Sequence, residues 1–184
     1  NNFKAKEYLG DIAGKQMQWD EAIAHYKILK NRFPSNANYL FKYGGCLGMK
    51  AKNSNKFKAL SMLDEIESSL LKAASLDKKM IEVRWALVEL YLELPAIVGG
   101  SEKKSRKYAN ELLAISPVDG YLSLARIEMY FKRYKNAEIN YVKAHQIGNS
   151  ETTFTNLYNL YSNQLKSQEK ANQLKLKFLN KKKI

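Results

Sequence analysis

Residues 3–36, FKAKEYLGDIAGKQMQWDEAIAHYKILKNRFPSN, hold one helical hairpin. Leu9-Gly10-x2-Ala13 lies at helical spacing in the first half, and Ala22-x3-Tyr26-x2-Leu29-x4-Pro34 in the second. The small Gly10 and Ala22 let the two helices approach closely, and Tyr26 and Leu29 fill the seam. Pro34 ends the second helix because a proline cannot continue it. Trp19, just before Asp20, is expected under the turn.

The same spacing returns along the chain, and a repeat at a fixed period outweighs any single motif. First helices recur at Leu40-x2-Tyr43-Gly44-x2-Leu47, at Arg84-x2-Leu87-Val88-x2-Tyr91 and at Tyr121-x2-Leu124-Ala125. Second helices recur at Leu70-x2-Ala73, at Ala109-x2-Leu112-x4-Pro117 and at Tyr134-x2-Ala137-x3-Tyr141-x2-Ala144. A weaker pair from about Thr152 to Asn180, with Ala171 between it and the tail, closes the array. The expected organisation is a single domain over 1–184, with repeats at about 3–36, 37–78, 81–117 and 118–149 and closing helices at 151–180. Each hairpin leaves an apolar face that only a neighbour covers, so stacking is obligatory. Two departures are expected: Ser54 to Leu76 reads as one unusually long second helix, and Leu94 to Gly100 as a loop inserted in the third hairpin.

Composition agrees with an all-α chain. Pro occurs three times and Gly nine times in 184 residues, too few to punctuate a sheet of short strands. Cys46 is the single cysteine, which excludes an internal disulfide and a multi-cysteine zinc site. His25 and His145 have no second ligand at helical spacing, so no metal or other cofactor is expected. No nucleophile with its base, buried carboxylate pair or phosphate loop in a strand-turn-helix setting is present, and an enzyme is not expected. No apolar run approaches the ~20 residues that span a bilayer. The chain opens at Asn1 rather than Met, which is compatible with loss of a leader, and the expected location is cytoplasmic or periplasmic.

Taken together these residues resemble the tetratricopeptide repeat family, most closely over residues 3–36 and 118–149. The resemblance covers nearly the whole chain and implies a right-handed superhelical solenoid of about four hairpins plus a C-terminal capping pair. Residues 94–101 also faintly resemble a loop of bacterial tetratricopeptide proteins related to the periplasmic T-component of TRAP transporters. Members of the family receive a peptide on the inner faces of their first helices. By that resemblance the groove is lined by Lys4, Glu7 and Asp11 in the first repeat and by Asn38, Phe41 and Gly45 in the second. Glu82, Trp85 and Glu89 line the third repeat, and Asp119, Leu122, Arg126 and Met129 the fourth. Relatives that clamp a chaperone's C-terminal carboxylate carry Lys, Asn and Arg at several such positions. This chain lacks that set, which disfavours a chaperone tail.

The apolar members Phe41, Trp85, Leu122 and Met129 fit an apolar partner segment, and the acidic ones favour one carrying Lys or Arg. Aromatics at helical spacing are also ordinary core residues, the competing reading. The role implied is a non-catalytic adaptor, scaffold or assembly subunit that binds another protein, with no small-molecule substrate.

The net charge of +13 keeps other partners in view. Residues 166–183 hold seven Lys and one Glu: Lys166, Lys170, Lys175, Lys177, Lys181, Lys182 and Lys183. Such a helix either touches nucleic acid or an anionic lipid surface or serves as the polar cap of a solenoid end, and the cap is the simpler reading. A third role, an accessory component of an envelope or transport machine, follows only from the resemblance at 94–101. In Gly99-Gly100-Ser101-Glu102-Lys103-Lys104, free N–H groups beside lysines form an anion site; alternatively, the glycines make a turn and Ser101 caps a helix, the favoured reading.

Overall fold

The computed structural model describes residues 2–181, and among them every regular element is helical. The helices are α1 (Phe3–Lys15), α2 (Trp19–Arg32), α3 (Ala37–Lys52), α4 (Lys56–Leu60), α5 (Leu63–Leu76) and α6 (Ile81–Glu93). They continue as α7 (Glu102–Ile115), α8 (Pro117–Tyr130), α9 (Tyr134–Gly148), α10 (Glu151–Asn159) and α11 (Gln168–Lys181). The chain gathers into two compact units, one up to Leu90 and one from Tyr91 on. Among the described residues no helix is long and apolar enough to cross a membrane.

In the first unit α1 packs on α2, α2 on α3, and α3 on α5. Asn2 and Asn36 accept the Ala5 and Tyr39 backbone N–H groups and so cap α1 and α3. The seam of the first hairpin is as the spacing predicts: Ala13, Ala22, Tyr26 and Leu29 are buried. Gly10 is required there, because a Cβ on it would lie 2.8 Å from the Tyr26 ring. Leu9, read with the seam, is instead exposed. Arg84 is buried in α6, where its guanidinium donates to the Asp77 and Met80 carbonyls at 3.1 and 3.0 Å and ties down the turn before the helix.

The long helix expected over Ser54 to Leu76 is broken into α4 and α5. Asn55 starts α4 by accepting the Lys58 N–H, and the Met62 N–H closes a tight turn on the Ala59 carbonyl. Asn and Ser satisfy backbone groups locally, so the cluster Asn53-Ser54-Asn55 and Ser61 interrupts what apolar periodicity alone would continue.

In the second unit α7 packs on α8, α8 on α9, and α9 on α10, with α11 returning on α10. The insertion at 94–100 is present, with a 3₁₀ turn at Ala96–Val98. Gly99 has φ of 101°, and a Cβ on Gly100 would lie 1.8 Å from the Leu94 carbonyl oxygen, so both glycines are demanded by the turn. Ser101 caps α7 and Ser116 caps α8 directly ahead of Pro117. At the end of the unit α10 unwinds through a π turn at Leu160–Gln164 before α11. Ala171 and Phe178 are buried, and the Phe178 ring stacks on Phe154 with centroids 4.4 Å apart.

Candidate protein-binding face

In the first unit the candidate residues lie on α1 and α3. Asn38, Phe41, Gly45 and Gly48 follow one another at three- and four-residue spacing and share one face of α3. Asn38 and Phe41 are half-buried. A Cβ built on Gly45 or Gly48 meets nothing within 4 Å, so the face beside Phe41 is open.

Along α1, Lys4 is exposed and lies 6.0 Å from the Tyr8 ring centroid. Glu7 and Asp11 are already engaged. Lys42 of α3 donates to Asp11 at 2.6 Å and sits 3.7 Å from Glu7. The Tyr39 hydroxyl donates to Glu7 at 3.1 Å, and the Tyr26 hydroxyl to Asp11. Burial alone pushes the Asp11 carboxyl up, but the hydrogen bonds from Lys42 and Tyr26 outweigh it and hold the group below its ordinary value. The two carboxylates share the Lys42 ammonium, and Lys15 also acts on Asp11, so little of their charge is left uncompensated. Cys46 is nearby in effect: burial, and then Asp11, pushes its thiol up to about 11, so it is a poor nucleophile.

On α6, Glu82 is exposed while Trp85 and Glu89 are half-buried and make contacts of their own. In the second unit Asp119 accepts the Ser116 hydroxyl at 2.5 Å, and Arg126 pairs with Glu93 at 3.2 Å. Leu122 and Met129 pack against the core formed by Ala125, Ala137, Tyr141 and Leu157, so their burial is spent within the unit.

The structure places the tail lysines unequally. Lys170 pairs with Glu138 at 2.6 Å and lies over the Tyr161 ring, while Lys166, Lys175 and Lys177 are exposed. Lys181 ends α11; Lys182 and Lys183 lie outside the described residues. The Gly99-Gly100-Ser101 turn offers no anion cradle. Its three N–H groups donate to the Ala96, Pro95 and Tyr91 carbonyls at 3.2, 3.1 and 2.8 Å.

Two charge clusters were missed by the sequence reading. Glu65 accepts from Tyr43 at 2.7 Å and Lys30 at 2.9 Å, with Lys30 3.9 Å from the Tyr43 ring centroid, which ties α2, α3 and α5 together. In the second unit Glu128, only 4 % exposed, is held by Arg106 and, at 2.6 Å, by Arg133; both arginines also reach Glu102, at 2.8 and 2.5 Å. Burial pushes the Glu128 carboxyl up, but the two arginines overcome that and hold it below the carboxylate range. Glu102 and Arg106 are legible at i, i+4; Glu128 between Ile127 and Met129 is the other signal.

No family model and no curated protein matches the chain. Solved structures do. A thermophilic TPR protein of Thermus thermophilus, TTC0263, aligns over 90% of this chain and 82% of its own at 17% identity and a TM-score of 0.73. The MamA protein aligns over 98% of this chain and 92% of its own, at 18% identity and a TM-score of 0.60. Human IFIT1, as a dimer with PPP-AAAA, gives 18% and 0.69 over 92% of this chain, which spans only 41% of that protein. At these identities the likeness is one of fold, and the fold is the all-α helical repeat of the tetratricopeptide proteins.

Proposed function

We propose that the chain is a non-catalytic interaction module, an adaptor or assembly subunit, that takes a segment of another protein against the α1 and α3 face of its first unit. The observation that carries this reading is the open stripe on α3, where Phe41 stands half-buried and Gly45 and Gly48 leave room beside it. Core helices close such space with side chains. Phe41 offers an apolar contact, and the carboxylates Glu7 and Asp11, which already draw Lys42, favour a segment that pairs an apolar anchor with Lys or Arg. Trp85 and the acidic Glu82 and Glu89 offer the same chemistry on α6, while Asp119, Leu122, Arg126 and Met129 belong to the second unit and are engaged within it.

Gly45→Leu/Gly48→Leu tests the reading, because both side chains enter open space and leave the hairpins intact. Affinity capture with the wild type, this variant and Phe41→Ala, at moderate salt, identifies a partner whose binding is then measured with purified components. Loss of binding in both variants, with helicity and cooperative unfolding retained, supports the face. A partner that binds all three equally refutes it.

A basic surface binder is the rival reading, supported by exposed Lys175 and Lys177 on α11. It requires binding to nucleic acid or anionic lipid that falls steeply with salt and is lost in Lys175→Glu/Lys177→Glu. A role in an envelope or transport machine rests on residues 94–101 alone.

A further inference from the structure

The helix α4 contributes no buried residue to the core, yet its short turn is capped at both ends. Asn55 accepts the Lys58 N–H at 3.0 Å, the Ser61 hydroxyl donates to the Lys58 carbonyl at 2.9 Å, and the Ser54 hydroxyl donates to the Lys50 carbonyl at 2.8 Å. A five-residue helix has too few internal hydrogen bonds to persist alone, so these side chains hold it in place. What they hold outward is Phe57, 86 % exposed, with Leu60 one turn along the same face at 47 %. Lys56 and Lys58 flank the phenylalanine and are exposed, and Lys52 precedes them. Between Glu21 and Asp64 the sequence has no acidic residue, and the carboxylate that reaches this end from elsewhere is Asp20, which pairs with Lys50 and also feels Lys58, so the tip is basic on balance rather than uniformly. Lys50, the other cation nearby, is already paired with Asp20.

We propose that this tip is an interfacial anchor for an anionic lipid bilayer, with Phe57 and Leu60 entering the headgroup region and Lys56 and Lys58 meeting lipid phosphates and carboxylates. The chemistry is that of a basic amphipathic element whose aromatic and leucine side chains insert while lysines snorkel around them. A bilayer is favoured over a protein partner by size. A single exposed turn falls far short of the ~800 Å² per partner that a stable protein interface buries, whereas bilayer partitioning adds up from a few inserted side chains and charges. It is favoured over nucleic acid because the tip presents one aromatic, Phe57, whereas strand binding needs a groove with successive stacking platforms. Two inserted side chains and two flanking lysines make a weak, reversible and salt-sensitive contact. This inference is independent of the α1 and α3 face and of the tail lysines.

Flotation of the purified chain with phosphatidylcholine vesicles, with and without about a third phosphatidylserine, tests it. Binding is expected only to the anionic vesicles and to weaken as salt is raised. Phe57→Ser/Leu60→Ser is expected to lower partitioning about tenfold. Lys56→Glu/Lys58→Glu should lower it at least as much, since each lysine near the surface accounts for about a fivefold change. Neither pair is in the core, so circular dichroism and melting temperature stay as in the wild type. Lys175→Glu/Lys177→Glu is the control and should float as the wild type does. Binding lost in the tail variant but kept in the tip variants overturns the proposal. Equal binding to neutral vesicles, or capture by single-stranded polynucleotide with none by vesicles, overturns it as well.

Discussion

Gly10 in the first unit and Gly120 in the second both lie where two helices cross, but they face different matter. A Cβ on Gly10 would meet the Tyr26 ring at 2.8 Å, whereas one on Gly120 would meet the Leu113 Cα at 2.2 Å and its backbone nitrogen at 2.5 Å. A ring at the end of a side chain can tilt. A helix backbone can retreat only by separating α7 from α8. The two helix crossings are therefore of different kinds, one side chain against backbone and one backbone against backbone, and the second is the less forgiving.

The largest effect is expected at that second contact. Gly120→Ala should destabilise the second unit by about 3 kcal/mol, read as a lowered melting temperature and loss of cooperativity in thermal denaturation. Gly10→Ala, by comparison, should cost about 1 kcal/mol, because Tyr26 can yield at the expense of its hydrogen bond to Asp11. If the two substitutions cost the same, the distinction between yielding and unyielding contacts fails.

The charge clusters repeat the contrast. In the first unit Asp11 and Lys42 are partly open to water, with side chains 39% and 24% exposed, so their pairing is screened. In the second, the Glu128 side chain is 5% exposed, and removing a cation beside it leaves buried charge short of a partner. Arg106→Ala is expected to cost about 2 kcal/mol, less than a full uncompensated charge because Arg133 still faces Glu128. The sign with pH follows from the depressed carboxyl: its stabilisation is present above the unfolded value near ~4.3 and is lost as pH falls through the lower folded value. The gap in melting temperature between wild type and Arg106→Ala seen at neutral pH should therefore narrow as the pH is lowered through the folded value of Glu128. A gap that persists in acid would mean that Arg106 acts by packing rather than by charge.

Legibility followed the same division. Residues whose role is set by spacing within one hairpin were readable: Ala22, Tyr26 and Leu29, Tyr43 and Leu47, Ala109 and Leu112, and Ala137, Tyr141 and Ala144 are buried as the periodicity requires. Ser101 marks a helix start for reasons written in its own chemistry, whereas Pro117, read as the close of the third repeat, opens α8 behind the Ser116 cap. The break at Ser61 and Met62 was not readable from periodicity, because apolar residues continue at helical spacing on both sides of it. Nor were contacts across many residues, such as Lys42 with Asp11 or Arg133 with Glu102. Charged side chains reach several neighbours from one backbone position, and a repeat pattern constrains the backbone far more than the charge partner. The candidate face came from the family resemblance, and what the structure adds is that a side chain at Gly45 would meet open space and that Lys42 claims Glu7 and Asp11, a pairing no repeat pattern foretells.

The smallest expected effect has the opposite sign and concerns the open side. Glycine in a helix interior costs about 1 kcal/mol relative to alanine, through the extra backbone freedom lost on folding. At Gly10 and Gly120 that cost is offset by close packing, since a methyl group would have to displace the Tyr26 ring at the first and the α7 backbone at the second. At Gly45 and Gly48 no atom lies within 4 Å of the added carbon, so nothing in the fold offsets it. Gly45→Ala and Gly48→Ala should each stabilise the chain by about 0.5 to 1 kcal/mol, measured as a raised midpoint in urea at unchanged slope. The residues that leave the stripe open thus weaken the helix they belong to, a cost that no packing within the unit offsets. A fall in stability would show that this side of α3 is filled in solution, and the proposed binding face would close with it.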